Sequence, residues 1–286
     1  MSGRIGILGG SGLYELAAIS KVREERPATP YGDSSDSFLV GEIGGRPVAF
    51  LARHGRGHRL SPSEINYRAN IFGFKLLGCS AVLSMAAVGS LREDMPPSHV
   101  CIPSQFIDRT RSRKDTFFDR GVVAHVSLAD PVCPALSGVL AASLRRAGAA
   151  VTEGGTYVCM EGPQFSTRAE SDLYRSWGAS VIGMTNLTEA KLAREAELCY
   201  ATMAMVTDYD CWRRESEAVS VETILSVLRA NARMAEVALI DAVGAVEETR
   251  SCSCREALRN SVLTPPDAIP APRRAELGPI LGRYLP

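Results

Sequence analysis

Two aspartates separated by a single residue follow an apolar segment of the sequence, residues 200–206. On an extended backbone Asp208 and Asp210 point to the same side, because side chains alternate along a strand. Such a pair can recognise donor groups on a heterocycle, hold a proton or bind a cation, and solvated aspartates that open a loop have the same spacing. A metal is the least favoured of these, because residues 207–212 add no histidine or third carboxylate.

A basic segment, Arg-His-Gly-Arg-Gly-His at residues 53–58, follows the apolar run 48–52. Open α/β sheets bind ligands beyond the carboxyl ends of their strands, and arginine presents a fork of N–H donors that suits phosphate. His54 and His58 have helical spacing, but glycines separate them and no glutamate follows His54 as a zinc-binding HExxH motif requires. The segment therefore predicts an anion site, and ordinary surface charge is the alternative.

A glycine-rich turn, Gly-Gly-Ser-Gly at residues 9–12, follows the apolar run 4–8. Its backbone N–H groups and the Ser11 hydroxyl can surround an anion. The spacing matches neither a dinucleotide-binding GxGxxG turn nor a P-loop nor a GxSxG hydrolase elbow. A phosphate-binding turn and a tight structural turn both remain open.

Strand-like and helix-like segments alternate along the chain and must position these groups. The predicted strands are 4–8, 48–52, 81–86, 156–160, 180–184 and 200–206, and the predicted helices are 63–77, 135–147, 169–177, 189–196 and 221–247. This alternation predicts an α/β fold, a single domain with a central mixed β-sheet flanked by helices. We assign residues 1–250 to the catalytic domain. Residues 251–286 form a proline-rich tail that packs on or extends from the same domain, as loop or partly disordered chain.

The composition, 286 residues with 45% hydrophobic and 22% charged side chains, is typical of a soluble globular chain, and the length allows one or two domains. The 32 basic and 32 acidic residues cancel, which excludes a bulk field that would attract nucleic acid or an acidic membrane surface. No apolar run approaches the ~18 residues of a membrane span, and the amino terminus does not resemble a signal peptide. We therefore expect a cytoplasmic protein.

Eight cysteines are scattered without CxxC pairs, which gives a zinc framework little support. In a reducing cytosol most of them should be buried thiols. The Cys252 and Cys254 pair has CxC spacing, which can close a small strained disulfide or remain as two thiols.

Six motifs, in order along residues 4–240, resemble those of the trimeric purine nucleoside phosphorylase superfamily, and within it the methylthioadenosine phosphorylases. The motifs are GGSG at 9–12, RHGR at 53–56, NYRAN at 66–70, GSLR at 89–92, EGPQFSTRAE at 161–170 and TDYDCW at 207–212. The resemblance implies a pentosyltransferase in purine and methionine salvage. Phosphate attacks C1′ of S-methyl-5′-thioadenosine and releases adenine and 5-methylthioribose 1-phosphate. Phosphate is then a co-substrate, and no metal or organic cofactor is implied.

The resemblance also implies roles for individual residues. Phosphate would be held by hydroxyl, basic and backbone groups, namely Ser11, Arg53, His54, Thr185 and the backbone of Ala87. The base and ribose would pack on Phe165, Ile182 and Met184. The 5′-methylthio group would meet one face of the last long helix, at Val221, Ile224 and Leu225. His125 would be lent by a neighbouring subunit, which implies a homotrimer.

In this assignment Asp208 faces N7 of the purine and Asp210 faces its exocyclic amine. An ionised carboxylate cannot donate to N7, so the role needs a proton on Asp208. An apolar pocket and the like charge of Asp210 would both raise the pKa of one member of the pair. Two carboxylates favour a 6-aminopurine, whereas an asparagine would suit a 6-oxopurine.

Ala86 departs from the family pattern, in which threonine or serine often precedes the alanine of the phosphate loop. The missing hydroxyl predicts phosphate binding weaker by ~1 kcal/mol, and it keeps open a catalytically silent nucleoside-binding protein. The nearest alternative is the same reaction on adenosine, inosine or methylthioinosine. A water-using nucleosidase conflicts with the number of phosphate donors. Some heat-stable family members carry a CxC disulfide and a link at the positions of Cys133 and Cys199, and both stay open here.

Overall fold

The computed structural model describes residues 3–11, 13, 16–213, 221–246 and 252–285. Within these residues one mixed sheet contains eleven strands. They are β1 (Arg4–Gly9), β2 (Ser20–Glu25), β3 (Phe38–Ile43), β4 (Arg46–Ala52), β5 (Cys79–Ser90), β6 (Val100–Ile102), β7 (Gln105–Arg109), β8 (Val151–Glu153), β9 (Thr156–Met160), β10 (Val181–Gly183) and β11 (Cys199–Asp208). The helices are α1 (Tyr67–Leu76), α2 (Pro134–Arg146), α3 (Arg168–Ser176), α4 (Asn186–Glu195), α5 (Val221–Ala245), α6 (Ala271–Glu276) and α7 (Gly278–Leu281). The predicted α/β fold with a central mixed sheet is confirmed.

Parallel strands form the middle of the sheet. β5 runs parallel to β1 and to β11, and its Val82 lies opposite Gly6 of β1 and Tyr200 of β11. β4 is parallel to β1 on the other side. Nearly all residues of these strands are buried, which explains their continuous apolar runs. The carboxyl ends of β1, β4, β5 and β11 therefore meet at one edge of the sheet, where α/β proteins bind ligands.

The side chains of the central strands alternate between two apolar cores, one on each face of the sheet. Val48 and Phe50 of β4 belong to the core that includes α2 and α5. Ala49 and Leu51 alternate with these two residues along β4. They belong to the core on the opposite face of the sheet, together with residues of α1 and α4. Because both faces are covered by helices, the central strands hold the site residues at their ends rigidly in place.

The sequence prediction missed five strands and extended one helix too far. Four of the missed strands are short or polar, and β2 is exposed along almost its whole length, so neither an apolar run nor a clear alternation marks them. The fifth, β3, is largely apolar and buried, and the prediction missed it although its local pattern is that of a strand. The helix predicted from residue 63 begins at Tyr67, because the Asn66 side chain accepts a hydrogen bond from the Ala69 N–H and caps it there. The other predicted helices agree with the observed ones to within a few residues.

The proline-rich tail is ordered where it is described, and the prediction of loop or disorder for it was wrong. Residues 253–256 and 266–268 form single 3₁₀ turns, and α6 and α7 follow. Proline stands in the first turn of α6 and α7, where its missing N–H has no helical partner to lose. The tail buries Leu258, Ile269 and Leu277 in the core shared with α1 and α4.

The domain boundary predicted at residues 250 and 251 lies outside the described residues, as do Gly12 of the glycine turn and Glu247 at the predicted end of the last helix. None of the helices in the described parts of the chain has both the length and the apolar character to cross a bilayer.

Candidate active site

A cavity of about 680 Å³ opens where the carboxyl ends of the parallel strands meet. It brings together almost all of the site residues named from the sequence: Ser11, Arg53, His54, Ala87, Phe165, Ile182, Met184, Thr185, Asp208, Asp210, Val221, Ile224 and Leu225. His125 does not line it and is exposed on the surface. Residues of distant segments therefore share one site, with basic and hydroxyl groups, apolar groups and a pair of carboxylates.

Arg53 is buried at the end of β4, with only 1% of its surface exposed. Its Nη1 donates to the Met85 carbonyl oxygen at 2.8 Å, and its Nη2 donates to the Ser84 hydroxyl at 2.6 Å and to Glu189 Oε2 at 3.2 Å. Nε donates to the other oxygen of Glu189. A guanidinium has five N–H groups, so these four bonds leave one N–H of Nη1 for a ligand in the cavity.

Glu189 is the partner of Arg53 that the sequence did not reveal. It lies on α4, is 1% exposed, and also accepts hydrogen bonds from Tyr200 at 2.7 Å and Ser84 at 3.0 Å. Burial acts to lower the pKa of Arg53, but the charge and hydrogen bonds of Glu189 outweigh it and raise that pKa. Arg53 therefore stays protonated in the core, and the pair carries no net charge.

Gly10, in the glycine-rich turn 9–12, lets the backbone pack closely against the side chain of Arg53. A Cβ at Gly10 would lie 2.4 Å from the Met85 carbonyl oxygen and 2.6 Å from Arg53 Nη1. Only glycine fits between them. The turn thus lets Ser11 approach the same cavity as the guanidinium.

His54 is held as a neutral imidazole. Its Nδ1 lies 2.8 Å from the Leu60 carbonyl oxygen, which can only accept, so Nδ1 carries the proton. Burial, with the charge of Arg53 added, lowers the pKa of His54 to about 4. At neutral pH its Nε2 is therefore an acceptor, suited to a protonated oxygen of a phosphate.

The second arginine of the basic segment serves the structure and not the cavity. Arg56 donates from Nη2 to Glu24 at 2.8 Å and from Nε to Asp36 at 3.3 Å, and it does not line the cavity. The sequence treated the whole segment as one anion site. The positive φ of Gly55, +70°, turns the chain between the two arginines and separates their directions.

Thr185 reaches the cavity at the start of α4. It occupies the position that caps the helix, is 5% exposed, and its side chain makes no capping hydrogen bond. The hydroxyl is therefore available to an anion at a helix N-terminus, where the dipole favours negative charge. Ala86 and Ala87 line the same part of the cavity from β5.

The two aspartates face the cavity from the end of β11. Asp208 accepts a hydrogen bond from the Thr207 hydroxyl at 2.8 Å and from the Asp210 N–H at 2.7 Å. Asp210 is 5% exposed and adopts a φ of +52°, a backbone conformation that few residues other than glycine tolerate. Gly89 packs closely against the pair, since a Cβ there would lie 3.0 Å from Asp208 Oδ1 and 3.2 Å from Asp210 Cβ, so a side chain would push on both aspartates.

Both carboxyl groups have raised pKa values. Burial is the largest cause for Asp208, and the charge of Asp210 adds to it against the hydrogen bonds of Thr207 and Asp210. Burial also raises the pKa of Asp210. The sequence predicted that an apolar pocket and a like charge would raise the pKa, and this direction is confirmed with burial as the dominant cause.

The loop between β9 and α3 forms one wall of the cavity. Thr167 caps α3 and pairs reciprocally with Glu170 in a capping box. Phe165 lines the cavity and is 43% exposed. Glu161 does not line the cavity; it accepts from Ser63 at 2.6 Å and from the Arg111 N–H at 2.5 Å, so it anchors the loop.

Val221, Ile224 and Leu225 bring the first turns of α5 to the cavity. Val221 is 64% exposed and the other two are half-buried, unlike Leu228 one turn further on, which is 2% exposed in the core. Large apolar side chains left uncovered beside a cavity are available to an apolar part of a ligand.

Comparisons with known proteins agree with this geometry. The family model for the phosphorylase superfamily matches residues 4–243. The S-methyl-5′-thioadenosine phosphorylase of Koribacter versatilis is 55% identical over 285 residues, which cover 100% of this chain and 98% of that protein. The protein of the same name from Thermosynechococcus vestitus is 55% identical over 289 residues, with 100% of both chains covered.

Solved structures give the same result at the level of the fold. The crystal structure of a methylthioadenosine phosphorylase sourced from an antarctic soil metagenomic library has a TM-score of 0.93 and 46% identity, covering 98% of this chain and 99% of that one. The Schistosoma mansoni methylthioadenosine phosphorylase in complex with adenine has a TM-score of 0.84 and 35% identity, covering 90% and 96%. The resemblance inferred from six ordered motifs is thereby confirmed, and the chain belongs to the phosphorylase superfamily.

Proposed function

We propose that this chain catalyses the phosphorolysis of S-methyl-5′-thioadenosine to adenine and 5-methylthioribose 1-phosphate. The observation that carries the proposal is the arrangement of one cavity, with anion donors, apolar groups and two carboxyls of raised pKa among its lining residues. The relatives that match along the whole chain bear the name of this activity.

The reaction breaks the bond between C1′ and N9 while a phosphate oxygen forms a new bond to C1′. Positive charge develops on the ribose and the electron pair of the broken bond passes to the purine. We assign Asp208 the role of donating a proton to N7, because the raised pKa keeps its carboxyl protonated to higher pH. Asp210 accepts a hydrogen bond from the exocyclic amine, which favours adenine over a 6-oxopurine.

We assign phosphate to the groups at the ends of β1, β4 and β5 and at the start of α4. Arg53 offers one N–H, Ser11 and Thr185 offer hydroxyls, and the backbone beside Ala87 completes the set. His54 accepts from the remaining proton of a phosphate dianion, because its own Nδ1 proton is used by Leu60. Because Glu189 neutralises Arg53, this arginine meets phosphate with one N–H dipole rather than with a net positive charge.

Apolar residues hold the nucleoside in this scheme. Phe165 stacks on the base, with Ile182 and Met184 beside the base and ribose, and Val221, Ile224 and Leu225 receive the methylthio group. Each buried methylene-sized group contributes ~0.8 kcal/mol, so methylthio is preferred over a hydroxyl at this position. The scheme uses phosphate as co-substrate and assigns no step to a metal or organic cofactor.

Turnover of methylthioadenosine with and without phosphate tests the proposal directly. We expect adenine release that depends on phosphate, with adenosine, inosine and methylthioinosine turned over less efficiently in the same assay. Release without phosphate would indicate a nucleosidase, and a higher kcat/KM for inosine would contradict the assignment of Asp210. Ligand binding without any adenine release would support a silent binding protein instead.

Ala86→Thr should lower the KM for phosphate about fivefold, because a new hydroxyl in the cavity adds one hydrogen bond of ~1 kcal/mol. Ala86 lines the cavity from a buried strand. Initial rates at varied phosphate measure the effect. Ala86→Val adds the same bulk without a hydroxyl and serves as the control. Equal phosphate KM values for the threonine and valine variants would contradict the prediction.

We further propose that the enzyme is a homotrimer in the cytoplasm, with His125 of one subunit reaching the nucleoside site of the next. His125 is exposed, and its backbone N–H donates to the Ser261 carbonyl oxygen at 2.8 Å. This hydrogen bond joins the segment around His125 to the tail. Beside it Val123 and Leu263 leave 47% and 60% of their surfaces exposed. Apolar side chains on this surface are suited to an interface between copies.

His125→Ala should raise the KM for methylthioadenosine and leave the KM for phosphate unchanged, because the ring would contact only the nucleoside. Mixing this variant with Asp208→Asn, followed by subunit exchange, should restore activity above the mean of the two separate proteins. In mixed trimers a subunit with intact Asp208 receives histidine from its neighbour. Activity in the mixture equal to that mean, or a monomer by light scattering, would refute the shared site.

A further inference from the structure

Four cysteines from three separate parts of the chain converge on one point. Cys133 caps α2, Cys199 opens β11, and Cys252 and Cys254 belong to the start of the tail. Their four sulfur atoms all lie within 4.8 Å of one another, and none of these residues lines the active-site cavity. All four are thiols, and three of them are buried.

The size of this thiol cluster, Cys133, Cys199, Cys252 and Cys254, fits a tetrahedral ion. Zinc binds thiolate sulfur at ~2.3 Å, which places the four sulfurs of a tetrahedral site ~3.8 Å apart. The sulfurs of Cys133 and Cys252 are 3.2 Å apart, and the remaining pairs lie within 4.8 Å. Small side-chain rotations therefore suffice to bring all four sulfurs to zinc-binding distance.

Donor groups already point at the sulfur atoms. The Leu136 N–H donates to Cys133 Sγ at 3.4 Å, and the Cys254 N–H donates to Cys252 Sγ at 3.4 Å. The guanidinium of Arg194 donates to Cys254 Sγ at 3.4 Å. A zinc ion with four thiolates carries a net charge of about −2, and N–H groups and a nearby cation are what such a site needs around it.

A zinc ligand must be a thiolate, so binding would release the protons that remain on the four sulfurs to solvent.

We propose that Cys133, Cys199, Cys252 and Cys254 form a structural zinc site. The ion joins the beginning of the tail to α2 and to the central strand β11. It thereby holds in place the chain that leads to the buried residues Leu258 and Ile269. Its role is separate from catalysis, because the cluster and the cavity share no lining residue.

The test begins with the metal content of the full-length protein, purified under reducing conditions from zinc-supplemented cells and passed over a chelating resin. We expect one zinc ion per chain. Replacing zinc by cobalt(II) should give the sulfur-to-metal charge-transfer absorption and the strong visible bands of a tetrahedral thiolate site. The double variant with Cys252→Ser and Cys254→Ser should bind zinc with an affinity at least about tenfold lower than that of the wild type.

Cys79→Ser is the matched control, since Cys79 is also buried but lies outside the thiol cluster, and it should keep its zinc. If the double variant does not fold, the zinc content and the cobalt spectrum of the wild-type protein still decide whether the thiol cluster binds zinc. Iron in place of zinc would overturn the assignment. So would disulfides mapped among the four cysteines in protein kept reducing throughout, or reduced metal-free protein that takes up neither zinc nor cobalt.

Discussion

Asp208→Asn should lower kcat for methylthioadenosine about 10²- to 10⁴-fold, the range by which a positioned general acid accelerates a reaction. The amide has the volume of the carboxyl group but no proton to transfer to N7. Its oxygen still accepts the Asp210 N–H, and its NH₂ group can donate to the Thr207 hydroxyl, so the fold should be retained. Single-turnover adenine release measures the chemical step, and a full rate in the variant would eliminate the leaving-group role of Asp208.

The pH dependence of kcat distinguishes loss of the general acid Asp208 from a general disturbance of the active-site structure. Because the pKa of Asp208 is raised, the protonated form persists to higher pH than for an ordinary aspartate, and wild-type kcat should fall only as pH rises through that value. In Asp208→Asn this fall should disappear. Asp210→Asn is the matched variant, and it should improve inosine relative to methylthioadenosine, since an amide can donate to a 6-oxo group.

Glu189→Gln should lower the free energy of unfolding by about 3–5 kcal/mol, because it leaves the guanidinium of Arg53 charged and unpaired in the core. Arg53 and Glu189 are each only 1% exposed, and they share a network with Ser84 and Tyr200. Chemical denaturation at one fixed protein concentration measures the loss. The phosphate KM should rise as well, because Glu189 orients the one N–H of Arg53 that is left for the ligand.

Two further variants distinguish this buried pair from an ordinary ion pair. Glu24→Gln removes one of the two carboxylate partners of Arg56, at a position where both side chains are about half exposed, 50% and 49%, and should leave the denaturation midpoint almost unchanged. Arg53→Met combined with Glu189→Leu should recover part of the lost stability, since apolar groups can replace a buried pair, while the buried hydroxyls of Ser84 and Tyr200 lose partners. The double variant should remain inactive. A Glu189→Gln variant as stable as wild type would refute the argument.

The sequence alone determined the features that depend on neighbouring residues. The buried parallel strands read as apolar runs, and the groups at their ends, such as Arg53, His54, Asp208 and Asp210, stand directly after those runs. The capping box of Thr167 and Glu170 follows from a spacing of three residues. Strand ends in a parallel sheet meet at one edge, so these local patterns were enough to predict one shared site.

Only the tertiary structure decided what distant segments do to one another. Glu189 comes to Arg53 from a helix 136 residues further along the chain, and the buried ion pair neutralises the charge that the sequence assigned to phosphate. The proton on His54 depends on the carbonyl of Leu60, and the tail prolines start helices because a core lies beneath them. The scattered cysteines argued against a zinc framework, yet folding brings four of them together. Burial and long-range contacts set these properties, and no local spacing encodes either of them.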